Sequence, residues 1–203
     1  MSEERVVRRW STAGRVAGGT LVLVGSTGAA SRGVSAVEER TFSSMNGGPP
    51  WLARVLWAPM QLGSLWGPFA VGAVAWRRWH RWRPAVGAVV AGVVAWQLAK
   101  VVKAAVGRGR PSDLLDGVAR LPGTPREGLG FVSGHSAVAA SLLAVLSPWL
   151  TLRERMVARA LVALVGSARV QVSAHMPLDV VGGVALGYAV GWGWNLVVGE
   201  PVS

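Results

Sequence analysis

Cysteine is absent from the 203 residues, which excludes disulfides, thiol catalysis and thiolate-bound metal. Charge is scarce too: 15% of residues are charged against 51% apolar ones, and the mean hydropathy is +0.40. So little charge, with 27 glycines and long uncharged stretches, excludes an ordinary soluble domain and reads as a membrane protein. At ~20 residues per span plus loops, the length suits one domain of about six or seven spans, too few for a large transporter. No internal repeat or linker divides residues 1–203. Acidic residues number 10 against 21 basic ones, a net charge of +11. In a soluble chain that excess would suggest nucleic acid. Here it concentrates in three clusters beside apolar segments: Arg5, Arg8, Arg9 and Arg15; Arg77, Arg78, Arg81 and Arg83; Arg153, Arg155 and Arg159. Positive-inside topology produces that pattern, so no nucleic-acid partner is expected.

Six spans are expected, making an all-α transmembrane bundle. The first, Val16 to Ser31, is uncharged but short and rich in Gly, Ser and Thr, with no clear cleavage signal. Residues 32–54 are polar and turn-prone and read as a loop with an amphipathic stretch. Val55 to Trp76 runs 22 residues without a charge and reads as one continuous span despite Pro59 and Pro68. Pro84 opens a third span reaching Val102, after a mixture of Arg and Trp suited to a headgroup boundary. His80 belongs to that interfacial mixture and is given no chemistry. Residues 104–131 form the longest structured loop. Gly134 to Leu152, Ala160 to Ser173 and Val180 to Gly199 complete the set. If the arginine clusters are cytoplasmic, both termini lie inside, and the loops at 32–54, 104–133 and 170–178 share the outer side.

Polar residues beside spanning segments are costly and therefore candidates for function. Those that remain are Lys103, Arg110, Ser133, His135, Arg169, His175 and Asp179, and this topology puts all seven at one face. Their chemistry suits an anion. Two guanidinium forks and an ammonium can surround a phosphoryl group. Ser133-Gly134-His135 stands where a turn opens a helix, so N–H groups and the helix dipole face the same anion. His175 and Asp179 are four apart behind Pro177, which suits a first helical turn, so the carboxylate can orient the imidazole. Each piece alone has a plainer explanation: snorkelling for Lys103 and Arg110, a helix cap for His175 and Asp179. Asp113 and Asp116 sit among basic neighbours and read as caps or ion-pair partners, so no magnesium site and no cofactor are expected.

In order, Lys103-x6-Arg110-Pro111, Ser133-Gly134-His135 and Arg169-x5-His175-x3-Asp179 resemble the three-part signature of the type-2 phosphatidic acid phosphatase superfamily. Its membrane members are six-helix lipid phosphatases, and the resemblance covers about residues 55–198. Two positions depart from the pattern: Val132 stands where proline is usual, and Ala168 where serine precedes the arginine. The resemblance implies a metal-independent lipid phosphatase, with His175 as nucleophile, Asp179 orienting it and His135 as general acid and then base. Lys103, Arg110, Ser133, Gly134 and Arg169 would hold the phosphoryl oxygens. The excess of arginine over lysine suggests a bacterial source, and the arginine clusters put the site on the outer face of the plasma membrane. A polyprenyl diphosphate is the expected substrate, since small loops leave little to recognise a large headgroup. Phosphatidate or phosphatidylglycerophosphate is the alternative, and a catalytically silent phospholipid-binding protein is the alternative of another class.

Overall fold

The computed structural model describes residues 3–46, 48, 50–118 and 128–199. The expected loop residues Arg120, Arg126 and Glu127 lie outside that set, as do Gly47 and Pro49. Among the described residues the chain is helical and contains no strand. Its α-helices are α1 (Glu3–Ala30), α2 (Ala36–Asn46), α3 (Pro50–Met60), α4 (Gly67–Trp79), α5 (Trp82–Val106), α6 (Pro111–Leu114), α7 (Gly134–Leu146), α8 (Leu152–Gln171) and α9 (Pro177–Val198). Two of the described stretches are long and apolar enough to cross a membrane: Trp82–Leu114, which contains α5, and Pro177–Val198, which is α9.

The centre is α7, which contacts α4, α5, α8 and α9 and buries every residue from Ser136 to Val145. Such complete burial needs small side chains, and α7 supplies Ala and Ser. On α9, Gly183, Gly187 and Gly191 recur every four residues, one above another on a single face. A Cβ on any of them would collide with the carbonyl oxygen of Ser133, Ala137 or Ser141 respectively. The two backbones therefore touch, the close approach that small residues allow between membrane helices. Val22, Val74, Trp76, Val101 and Val157 point outward and stay exposed, as lipid-facing side chains do.

The expected span Val55 to Trp76 is not continuous. It divides into α3, a 3-10 turn at Gln61–Gly63 and α4. Pro59 disrupts the end of α3 and Pro68 stands in the first turn of α4, where its missing N–H does no harm. Two other differences are extensions. The fifth span becomes twenty residues because Thr151 and Glu154 form a capping box well before Ala160. Glu154 also accepts from Arg78 at 2.6 Å, tying the end of α4 to the start of α8. The helix of the expected first span begins at Glu3, and within it Thr20 and Thr27 donate to the carbonyls of Val16 and Leu23 at 2.9 and 2.8 Å. The segment read as a loop at 32–54 contains α2, which buries Phe42.

Helix direction sorts the ends. The last turns of α5 and α8 meet the first turns of α7 and α9 at one end, where the seven candidate residues lie. The arginines of 77–83 and 153–159 lie at the other.

Candidate active site

Each candidate is held by a local device. Ser133 caps α7: its Oγ accepts from the Ser136 N–H at 3.4 Å and the Ser136 hydroxyl at 2.9 Å. Its own N–H donates to the carbonyl of Asp179 at 2.8 Å, joining the starts of α7 and α9. Gly134 and His135 follow in the first helical turn, where N–H groups have no intrahelical acceptor. Behind His135 sits Gly63, where a Cβ would lie 2.5 Å from the His135 carbonyl oxygen and 2.8 Å from its Cβ. The half-buried imidazole makes no hydrogen bond among the described residues, and the cations Arg169 and Lys103 act on it.

His175 lies in the turn between α8 and α9, buried, with its N–H donating to the Arg169 carbonyl at 3.2 Å. Its Nδ1 is 3.5 Å from Oδ2 of Asp179. That is the outer limit of a hydrogen bond, and Nδ1 has no closer partner. Burial drives the imidazole down to about 4, with Lys103 and Arg169 adding to the effect and Asp179 opposing it. At neutral pH the ring is uncharged, the state in which one nitrogen keeps a lone pair.

The three cations differ in how they are held. Lys103 Nζ donates to the carbonyls of Leu129 and Gly130, both at 2.8 Å. Arg110 donates from Nε to Gly128 at 3.0 Å and from NH1 to Ala174 at 2.9 Å, which closes the loop onto the His175 turn. Arg169 is 5% exposed, yet its Nε has no partner, and its NH1 meets the Met60 sulfur at 3.7 Å. A buried guanidinium without a carboxylate is costly unless an anion arrives. Electrostatic coupling links Lys103 to Arg110, Asp179 and Arg169, and Arg169 to Arg110. All eight sequence candidates, Gly134 included, are thus gathered at one end of the bundle.

Two residues that sequence reasoning passed over hold the site from behind. Arg108 NH1 donates to Oδ1 of Asp179 at 2.9 Å and to Oε1 of Glu38 at 3.0 Å, and its NH2 donates to Oε2 of Glu38 at 2.6 Å. Side-chain exposures of Arg108, Glu38 and Asp179 are 3%, 7% and 0%. Glu38 also accepts from the Leu178 N–H at 3.2 Å, so α2 is fastened to the start of α9. Oδ2 of Asp179 accepts from Met176 N–H at 2.9 Å, capping α9. Asp113 caps the short α6 by accepting from the Arg110 N–H at 3.0 Å.

Fold and site together define a membrane phosphatase built from helices. The chain belongs to the PAP2 superfamily, whose family model matches residues 82–201. Two crystal structures share the fold. One is a transmembrane PAP2 type phosphatidylglycerolphosphate phosphatase from Bacillus subtilis, 24% identical, covering 89% of this chain and 94% of that one at a TM-score of 0.71. The other is Aquifex aeolicus LpxE, 23% identical, covering 77% and 93% at a TM-score of 0.66. No match to a curated protein reaches significance.

Proposed function

We propose that the protein removes phosphate from a membrane lipid, by a phosphohistidine route, at a site on the outer face of a bacterial plasma membrane. The observation that carries this is Arg169, a buried guanidinium with no anionic partner, coupled to His135, Lys103 and Arg110. Asp179 keeps the proton on Nδ1 of His175, so Nε2 attacks phosphorus. The bond between phosphorus and the lipid oxygen breaks while His135 protonates that oxygen. Water then attacks the phosphohistidine, giving its proton to His135. The N–P bond breaks, inorganic phosphate leaves, and both imidazoles return to their starting state. Lys103, Arg110, Arg169, Ser133 and the Gly134 N–H stabilise charge on the equatorial oxygens, the main contribution a protein makes to phosphoryl transfer. No step calls for a metal.

The favoured substrate is a polyprenyl diphosphate, with selectivity among headgroups residing in residues 104–131 and 32–54. The name of the Bacillus subtilis structure favours a second reading, phosphatidylglycerophosphate. One experiment decides between them: phosphate release from polyprenyl diphosphate, polyprenyl phosphate, phosphatidate and phosphatidylglycerophosphate in micelles, with His175→Ala alongside. Release should be fastest from polyprenyl diphosphate and lost in the variant. No release from any lipid would leave a silent phospholipid-binding protein, and full activity of His175→Ala would remove it as nucleophile.

A further inference from the structure

At the end of the bundle away from the histidines, α1, α8 and α9 enclose a cavity of about 430 Å³. Arg15, Arg155, Arg159, Ser147, Tyr188 and Trp192 line it. Trp192 and Asp179 stand about 20 Å apart along α9 at 1.5 Å per residue, so this cavity is separate from the phosphate site. The Arg15 guanidinium lies over the Trp192 ring, 4.1 Å from its centroid. Arg155 Nε donates to the Leu150 carbonyl at 3.0 Å, and Arg159 NH1 approaches the Met156 sulfur at 3.8 Å. Among the described residues none of the three is paired with a carboxylate. Glu154, beside them in sequence, is taken by Arg78 and Thr151. Membrane topology explains arginines at this end. It does not explain why Arg15 of α1 converges with two arginines of α8 on one cavity.

The cavity continues into an apolar groove of about 350 Å³, with Gly18, Gly19 and Tyr188 common to both. The groove follows the seam of α1 and α9 past Val22 and Val184 to Val180. From Tyr188 to Val180 it descends about 12 Å, close to the ~15 Å depth of one leaflet's hydrocarbon. Three unneutralised guanidinium groups above a groove of one-leaflet depth have the shape and charge of a bound lipid. We propose that this seam binds one anionic phospholipid, its phosphodiester among Arg15, Arg155 and Arg159 and one acyl chain in the groove. The lipid is a structural ligand here, since no imidazole or carboxylate lines the cavity to activate a nucleophile.

The test is thermal unfolding of the full chain in neutral detergent, with phosphatidylglycerol, phosphatidylcholine or inorganic phosphate added. Phosphatidylglycerol near 100 times its Kd should raise the melting temperature by about 5 °C, and phosphatidylcholine should not. The combined Arg15→Gln, Arg155→Gln and Arg159→Gln substitutions should remove that rise while phosphate release stays within about twofold. Gly18→Leu, whose side chain enters open space at the groove, should reduce the rise with every arginine in place. An equal rise from phosphatidylcholine would overturn the proposal. So would a phosphatidylglycerol rise that survives in Gly18→Leu, or a rise from inorganic phosphate that the triple variant loses. The lipid comparison on the unaltered protein and on Gly18→Leu decides the matter even if the triple variant fails to fold.

Discussion

Replacing Arg108 by Gln separates positioning from catalysis more sharply than any change to the histidines. The substitution removes three charge-assisted hydrogen bonds and leaves Glu38 and Asp179 buried without their cation. Stranding one side of a buried ion pair costs about 3–5 kcal/mol, so the melting temperature should drop by roughly 10 °C for a chain of this size. The catalytic effect is a part of that. Asp179 loses the anchor on Oδ1 and keeps only Met176 on Oδ2, and a hydrogen bond to a charged group contributes about 1.5–3 kcal/mol. If His175 loses its orientation to that extent, kcat falls about 10- to 100-fold. KM should hold, because NH1 and NH2 of Arg108 face the carboxylates of Asp179 and Glu38. Glu38→Gln is the control: it loosens α2 but leaves Arg108 on Asp179, so stability should fall with kcat within about threefold. Arg108→Lys, one point charge in place of a fork, should recover part of kcat. The measurement is initial phosphate release per folded molecule, set against the melting curve. A kcat that tracks melting temperature equally through Arg108→Gln and Glu38→Gln would refute a positioning role.

Three further outcomes are expected. His175 takes a proton near pH 6.5 when unfolded but only near pH 4 when folded, so stability is present above 6.5 and lost as pH falls through that window. The slope is on the order of 1 kcal/mol per pH unit, and thermal melts of His175→Gln should be flatter there; an unchanged slope counts against the shift. Gly63→Ala puts a methyl against His135, so it should cost about 1–3 kcal/mol and slow turnover, whereas Gly25→Ala, with open space around it, should be silent in the same assay. Because the chain lacks cysteine, single substitutions report sidedness cleanly: Asp116→Cys should react with an impermeant thiol reagent from outside intact cells and His80→Cys should not, and the reverse pattern would invert the proposed orientation.

The site was legible because its signature couples rare residues at fixed spacing to helix starts that sequence chemistry marks plainly: Ser133 before Gly134, and Pro177 two residues before Asp179. The capping box at Thr151 and Glu154 was equally readable, and only the arginines around it drew the expected boundary too late. Glu38 and Arg108 were hidden for a physical reason. Ser35 lies three residues before Glu38, a spacing that already satisfies a helix start, and Ser35 does cap α2 by accepting the Glu38 N–H at 3.2 Å. Arg108 sits between Lys103 and Arg110, inside a stretch whose ends carry the pattern. Only tertiary structure shows that a carboxylate 70 positions away completes it. The broken span has a similar origin: hydropathy counts the residues from Val55 to Trp76 as one apolar run, while Pro59, Gly63 and Pro68 act on the backbone.

In the proposed site the basic residues are held in two ways, and the difference would set it for an anion before one arrives. Arg108 is neutralised on both sides by carboxylates, so its charge holds Asp179 and reaches nothing beyond it. Lys103 is oriented by carbonyl oxygens, which fix the direction of an N–H without cancelling its charge. Arg169 has no neutralising partner among the described residues. Had carboxylates held Lys103 and Arg169, the same geometry would leave little net field for a phosphate. With the acids on Arg108 and carbonyls on Lys103, positive charge is left over for a phosphate at the proposed site. That separation, more than the number of basic residues, is what would make the end of a bundle lined with Ala and Val the proposed receptor for a phosphoryl group.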